Sequence, residues 1–389
     1  MNPLTVTKTM RKSGVYAAQA EDAMYHSQPS AADAAGLWPV RERSLRSSAA
    51  SPLRILIATD AWRPQVNGVV RTLEALADNA PRHGAEITML TPAPFRTVPM
   101  PGYREIRLAL PDGRIVAETI EAARPHAIHI ATEGPVGLQV LRYCQSHRIP
   151  FTTCYHTRYP EYLSARLPVP LSLSYAYLRR FHNAGAATMV ATQSLQRELQ
   201  RRGFTRLVQW KRGVDLSIFA SGRTGTLRLP RPISLCVARL AVEKNLDAFL
   251  KLDLPGTKVV VGDGPARRDL ERAYPEAIFV GLKSGRELAD IYASSDVFVF
   301  PSRTDTYGLV LIEALAAGLP VAAFPVAGPR DILAGSGCGA MAEDLRMAVF
   351  AALAIPREAC KAFAERHGLD DSTRSFIANV RTALLKAIA

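Results

Sequence analysis

The sequence predicts an α/β protein made of two doubly wound domains in tandem. Three observations carry this. Short apolar runs rich in β-branched residues alternate with helical patterns, which implies parallel sheets covered on both faces. The alternation completes one cycle, breaks at a polar stretch with Gly and Pro near residues 216–231, and begins again. The length, 389 residues, suits two domains of ordinary size.

Residues 1–50 are rich in Ala, Ser and charge and lack the apolar stretch of a secretory signal. They read as a disordered extension or an over-called start. The first cycle opens with a buried strand over 54–60, a Gly-bearing loop over 62–70 and a helix over 71–79. Strands follow at 86–90, 127–130, 151–154 and 188–191, with helices at 115–123, 136–146 and 194–202. The second cycle places strands at 233–237, 258–261, 277–280, 297–300 and 321–323. Its helices fall at 245–251, 266–273, 285–294, 309–317 and 330–334. Residues 372–389 have helical periodicity. The expected boundaries are thus 1–50, 51–225, 226–371 and a terminal helix over 372–389 that crosses back to the first domain.

Composition narrows the class. Apolar residues make up 48% and charged residues 21% of the chain, as in soluble globular proteins, and no apolar run reaches 18 residues. The five cysteines show neither metal-ligand nor disulfide spacing, which fits a reducing cytosol. The net charge of +13 is uneven: residues 51–225 carry 22 Lys/Arg against 12 Asp/Glu, whereas 226–389 carry 20 against 19. A basic half attracts phosphate-bearing partners, either nucleic acid or an anionic membrane, or is simply solvated surface. No stripe of cations with stacking aromatics marks a nucleic-acid module, so no nucleic-acid partner is expected.

The stretch "PSRTDTYGLVLIEALAAGLPVA", 301–322, raises the sharpest question: why two carboxylates, Asp305 and Glu313, stand in it. Glu313 is flanked by Leu309, Val310, Leu311, Ile312, Ala314 and Leu315, a pattern for a buried helix with one polar exception. Such a carboxylate is costly unless paired. The loop leaves a strand and feeds a helix N-terminus, where the backbone N–H groups of Tyr307, Gly308, Leu309 and Val310 and the helix dipole suit an anion. Asp305 can then accept from a sugar hydroxyl, and Glu313 from a ribose diol. The plain alternative makes Asp305 an N-cap and Glu313 an exposed helix residue.

An acidic residue followed eight positions later by Glu, after a strand and inside an apolar helix, resembles the signature of retaining family 4 glycosyltransferases of the GT-B fold. In that fold two Rossmann-like domains face each other across a cleft. The usual first residue of the pair is Glu; here it is Asp305. "RTDTYGLVLIEALA" resembles a bacterial subgroup that glycosylates lipids, including diacylglycerol glycosyltransferases and mannosyltransferases. The resemblance spans roughly residues 53–370.

It implies roles for other motifs. In "VARLAVEKNL", 237–246, Arg239 and Lys244 match the cations that clamp the donor diphosphate, with Ala238 where the family has Gly. In "VVVGDGPARRDL", 259–270, Gly262 and Gly264 form a turn near the nucleotide. In "DAWRPQVNGVVRTL", 60–73, Asn67, Gly68 and Val69 bring backbone N–H groups to the donor phosphate. In "TCYHTRYPEYL", 153–163, His156 hydrogen-bonds the sugar or the acceptor hydroxyl, with Arg158, Tyr159 and Glu161 on the acceptor side. "VQWKRGVD", 208–215, resembles the strand into the interdomain crossing, with Arg212 and Gly213 near the cleft. "SARLPVPLSLSYAYLRRFH", 164–182, mixes apolar, aromatic and Arg residues (Arg166, Arg179, Arg180), as at a membrane interface or as a helix packed on the first sheet.

Together the resemblance implies a hexosyltransferase without cofactor or metal. Its donor is a UDP- or GDP-sugar and its acceptor a membrane lipid such as diacylglycerol or a glycolipid. The site of action is the cytoplasmic face of an anionic membrane. The rival readings are transfer to a polysaccharide or soluble acceptor, and a GT-B-like nucleotide-sugar epimerase.

Overall fold

A computed structural model describes residues 51–65, 67–100, 103–164 and 169–388. The extension expected over 1–50, together with Val66 and Arg166, lies outside the described residues.

The first domain holds strands β1 (Leu53–Ala58), β2 (Ala85–Leu90), β3 (Arg96–Met100), β4 (Tyr103–Leu110), β5 (Ala127–Ile130), β6 (Phe151–Cys154), β7 (Ala187–Val190) and β8 (Leu207–Gln209). Its helices are α1 (Gly68–Asn79), α2 (Gly113–Ala123), α3 (Pro135–Ser146), α4 (Tyr159–Ser164), α5 (Leu171–Asn183) and α6 (Gln193–Arg201); α7 (Leu216–Ala220) follows the crossing and packs, through Phe219, into the core of the second domain. Six strands form a parallel sheet in the order β2-β1-β5-β6-β7-β8, and β3 and β4 pair as a separate antiparallel hairpin. Local chemistry sets the helix starts. Asn67 accepts from the N–H groups of Val69 and Val70 to cap α1, and Thr192 accepts from Leu195 to cap α6. Val70, Leu73 and Leu76 then line the buried face of α1, each worth about 2 kcal/mol of burial.

The second domain repeats the plan with β9 (Ile233–Val237), β10 (Thr257–Val261), β11 (Ile278–Phe279), β12 (Val297–Phe300), β13 (Val321–Ala323) and β14 (Gly339–Met341). Its helices are α8 (Asp247–Leu250), α9 (Arg267–Ala273), α10 (Gly285–Ser294), α11 (Leu309–Ala316), α12 (Ala327–Leu333), α13 (Leu345–Leu353) and α14 (Arg357–Ala364). The sheet runs β11-β10-β9-β12-β13-β14, all parallel. The order reverses between β9 and β12. Loops at such a switch point, outside the strand carboxyl ends, are where these sheets bind ligands.

A final helix, α15 (Leu369–Ile388), returns to the first domain. Phe376, Ile377, Val380 and Leu384 enter the core of the first sheet beside Trp210, whose indole N–H donates to the Ser372 carbonyl at 3.1 Å. Asn79 at the end of α1 donates to Asp370 and Thr373, both at 3.0 Å. The helix begins three residues before the expected 372, and the expected helix over 245–251 is a 3-10 turn, Val242–Lys244, followed by the short α8. Asn245 causes that break: it sits in the left-handed region at φ 52°.

Candidate active site

The loops after β9 and β12 lie side by side because their strands do. Asn245 Nδ2 donates to the Pro301 carbonyl at 3.1 Å, and Thr304 Oγ1 donates to the Glu243 carbonyl at 3.3 Å. Across this joint Lys244 Nζ meets Asp305 Oδ1 at 2.5 Å. Burial, the largest single effect, pushes the Lys244 ammonium down; the Asp305 carboxylate, Tyr162 and Glu243 together outweigh it and hold the group above the ordinary lysine value. The other oxygen, Asp305 Oδ2, is buried without a hydrogen-bond partner. Arg239 stands 3.8 Å from Glu243 on the same turn.

Gly262 and Gly264 support that turn from below. A Cβ on Gly262 would lie 1.9 Å from the Ala238 carbonyl, and one on Gly264 2.4 Å from the Leu240 carbonyl. Gly262 also has φ 138°, which side-chain-bearing residues rarely adopt. The glycines therefore act on the Arg239 turn by close backbone approach. Loop 301–308 ends at Gly308, whose φ of 86° starts α11. Leu309 and Val310 form its first turn, where N–H groups have no partner within the helix.

Glu313, on the second turn of α11, is 5% exposed. Its Oε1 pairs with Arg71 of α1 at 3.0 Å and its Oε2 accepts from Tyr292 of α10 at 3.0 Å. Burial raises its pKa above the ordinary carboxylate value, while Arg71 and the Tyr292 bond pull it back. The exposed alternative for Glu313 is thus excluded, as is Asp305 as an N-cap. Arg71 escaped sequence reasoning because an arginine early in an amphipathic helix reads as solvated. Gly68, one turn before it, faces Leu309 at 4.0 Å from its ideal Cβ position. Of the three backbone N–H groups expected at the donor phosphate, that of Val69 is taken by the Asn67 side-chain oxygen, which also accepts from Val70.

His156 follows β6 and is 3% exposed. Its carbonyl accepts from Thr306 Oγ1 at 2.7 Å, which fixes it against the 301–308 loop. Both ring nitrogens are buried and unpartnered. Burial first, then the Arg212 charge and His129 and His182, hold the imidazole well below its usual range, so it is neutral. Tyr307 donates to the Arg212 carbonyl at 3.1 Å. Tyr162 of α4 lies near Lys244, Asp305 and Thr304, and burial raises its phenol.

The three residues expected on the acceptor side divide. Arg158 forms a bidentate pair with Glu198 of α6 at 3.0 and 2.7 Å, and Glu161 accepts from Tyr175 of α5 at 2.6 Å. Both therefore tie α4 to α5 and α6, a bracing role that the loop's polar composition did not disclose. Tyr159 is exposed, close enough to Glu133 and Asp60 at the ends of β5 and β1 for their charge to raise its phenol alongside burial.

Two family models match successive parts of the chain. The model of Glycosyltransferase Family 4 matches residues 66–218, and that of Glycosyl transferases group 1 matches residues 231–355. The GDP-mannose-dependent alpha-mannosyltransferase of Mycobacterium tuberculosis is 31% identical over 308 residues, 72% of this chain and 81% of the relative. The chain belongs to glycosyltransferase family 4. The alpha-monoglucosyldiacylglycerol synthase of Acholeplasma laidlawii is 24% identical to the transferase, over 69% of the chain and 79% of the relative. A crystal structure of HepE from Anabaena with UDP and glucose matches the transferase with a TM-score of 0.62, over 85% of this chain and 100% of that one, at 14% identity. The fold is GT-B. The transferase moves a sugar from a nucleotide sugar.

Proposed function

We propose that the protein is a retaining, metal-independent hexosyltransferase that acts on a membrane lipid, diacylglycerol or a glycolipid, at the cytoplasmic face of an anionic membrane. The observation that carries the reading is the pairing of His156 with loop 301–308. A neutral imidazole with two unused nitrogens is tied through Thr306 to the loop that also holds Asp305, whose second oxygen is unused too. Buried polar groups are normally bonded. These two stand where a sugar ring's hydroxyls would satisfy them.

The donor diphosphate would lie along the start of α11, within reach of Arg239 and Lys244. Their charge stabilises the phosphate as it leaves. Glu313 has lone pairs beyond the two already engaged, enough to accept from ribose hydroxyls while Arg71 shifts. In the transfer, the bond from the anomeric carbon to the diphosphate oxygen breaks. The acceptor oxygen bonds to the same face, and its proton passes to the departing phosphate. The protein supplies position and charge rather than a nucleophile.

The relative that names GDP-mannose favours a GDP-sugar as donor, and the one that names a diacylglycerol product favours a lipid acceptor. α5 supports the second point. It exposes Leu171, Leu173 (63%) and Tyr177 beside Arg179 and Arg180, apolar and cationic groups that together suit a headgroup layer. Among the described residues no helix is long and apolar enough to cross a membrane.

The test is thermal stabilisation by GDP, UDP and their sugars. One nucleotide is expected to raise the melting temperature by several degrees, and Glu313→Ala to abolish that rise. An undiminished rise in the variant would remove Glu313 from the donor site.

A further inference from the structure

Arg212, whose charge bears on His156 and whose carbonyl Tyr307 holds, is a tightly enclosed cation near the cleft. It is 4% exposed. Its Nε is buried without a partner; its Nη2 makes only a weak 4.0 Å approach to Cys154 Sγ, and its guanidinium carbon lies 5.8 Å from the centre of the Trp210 ring. No carboxylate within the described residues pairs with it. Lys244 has Asp305 and Arg239 has Glu243, so the two expected diphosphate cations are each partnered by an acid. A buried charge without a counter-ion is costly, and proteins retain one where an anion arrives.

The backbone around Arg212 is held from two sides. Tyr307 of the donor loop donates to its carbonyl at 3.1 Å. Gly213 lies so close to the returning chain that a Cβ there would meet the Gly368 carbonyl at 2.2 Å, and Val214 N–H donates to the His367 carbonyl at 3.2 Å. Arg212 therefore stands where the chain leaves the first domain and comes back to it, against His156 and Trp210.

We propose that Arg212 is an anion-binding residue of the transfer site, contributed from the interdomain crossing, and that its ligand is a phosphate group. This deepens the transferase reading and rests on it. The donor's diphosphate is the favoured source, since Tyr307 sits directly before the α11 N-terminus; an anionic headgroup on the acceptor would offer the same chemistry. A planar guanidinium with an unused Nε suits bidentate contact with phosphate oxygens.

The experiment compares wild type with Arg212→Gln in two measurements: unliganded melting temperature, and calorimetric affinity for GDP, UDP and sn-glycerol 1-phosphate. The variant is expected to melt at or above the wild-type temperature, because an unpaired buried charge has been removed. It is expected to bind the preferred nucleoside diphosphate roughly ten- to a hundred-fold more weakly. Weaker binding of glycerol phosphate alone assigns the phosphate to the acceptor. Unchanged affinity for all three, or a lowered melting temperature with unchanged affinity, overturns the proposal. Arg212→Met serves as a second variant if the first fails to fold; failure of both makes the residue structural and overturns it equally. A wild-type protein that binds no nucleoside diphosphate would instead sink the transferase reading itself.

Discussion

Buried histidines give the first domain a pH dependence that can be worked out residue by residue. His129 lies within β5, fully enclosed, with Nδ1 2.9 Å from Thr152 Oγ1 and Nε2 without a partner. Burial, with the charge of His182 second, pushes it down to about 3. An unfolded chain titrates histidine near its ordinary value of about 6.5. Between those limits the unfolded state holds a proton that the folded state refuses, so stability falls as pH drops below about 6.5. At pH 5 the loss from this residue is about 2 kcal/mol relative to pH 7. Melting curves at the two pH values check this: His129→Gln is expected to shrink the difference, and an unchanged difference would locate the acid sensitivity elsewhere. His156 adds to the slope in the same sense, its shift having the same leading cause.

Residues also show what a sequence can and cannot disclose about a site. Glu313 was legible because it is the only charge among apolar neighbours in its helix. Its partners Arg71 and Tyr292 were not, since one lies on an ordinary amphipathic helix and the other inside an apolar face, 242 and 21 positions away. Lys244 and Asp305 were each legible through the family motif, but their mutual ion pair was not, because only the adjacency of β9 and β12 creates it.

Elements were readable in proportion to their burial. Runs such as Ile55-Leu56-Ile57 and Val297-Phe298-Val299-Phe300 are enclosed on both faces and carry an unmistakable apolar signal. The β3–β4 hairpin carries a weaker one: β3 is mostly exposed and contains Pro99, and β4 is broken by Arg104, Glu105 and Arg107. β14 is Gly339, Ala340 and Met341, too short and too small to register. At this scale α5 makes the clearest functional forecast. If its outer face meets lipid, the protein sediments with anionic vesicles at low salt and is released as salt rises. Leu173→Ser, at an exposed position, is expected to weaken sedimentation several-fold while leaving nucleotide-induced stabilisation intact. No sedimentation at low salt would favour a soluble or polysaccharide acceptor.

At the scale of the whole molecule, the two sheets share one design and one joint. Both end their strands toward the region where His156, Arg212 and loop 301–308 meet, and several contacts link the halves there: Arg71 with Glu313, Thr306 with His156, Tyr307 with Arg212. The chain crosses between domains twice, near Gly213 and near Gly368, and α15 then rejoins the first core through Phe376 and Val380. Such a double crossing lets two domains close on a ligand while keeping register, and closure shuts out the water that would hydrolyse the donor.

A crystal structure with the preferred nucleoside diphosphate bound tests the donor site most directly. The ribose hydroxyls are expected on Glu313, with Arg71 displaced, and the phosphates over the start of α11 between Arg239, Lys244 and Arg212. A nucleotide bound elsewhere, with the Arg71–Glu313 pair still closed, would contradict it.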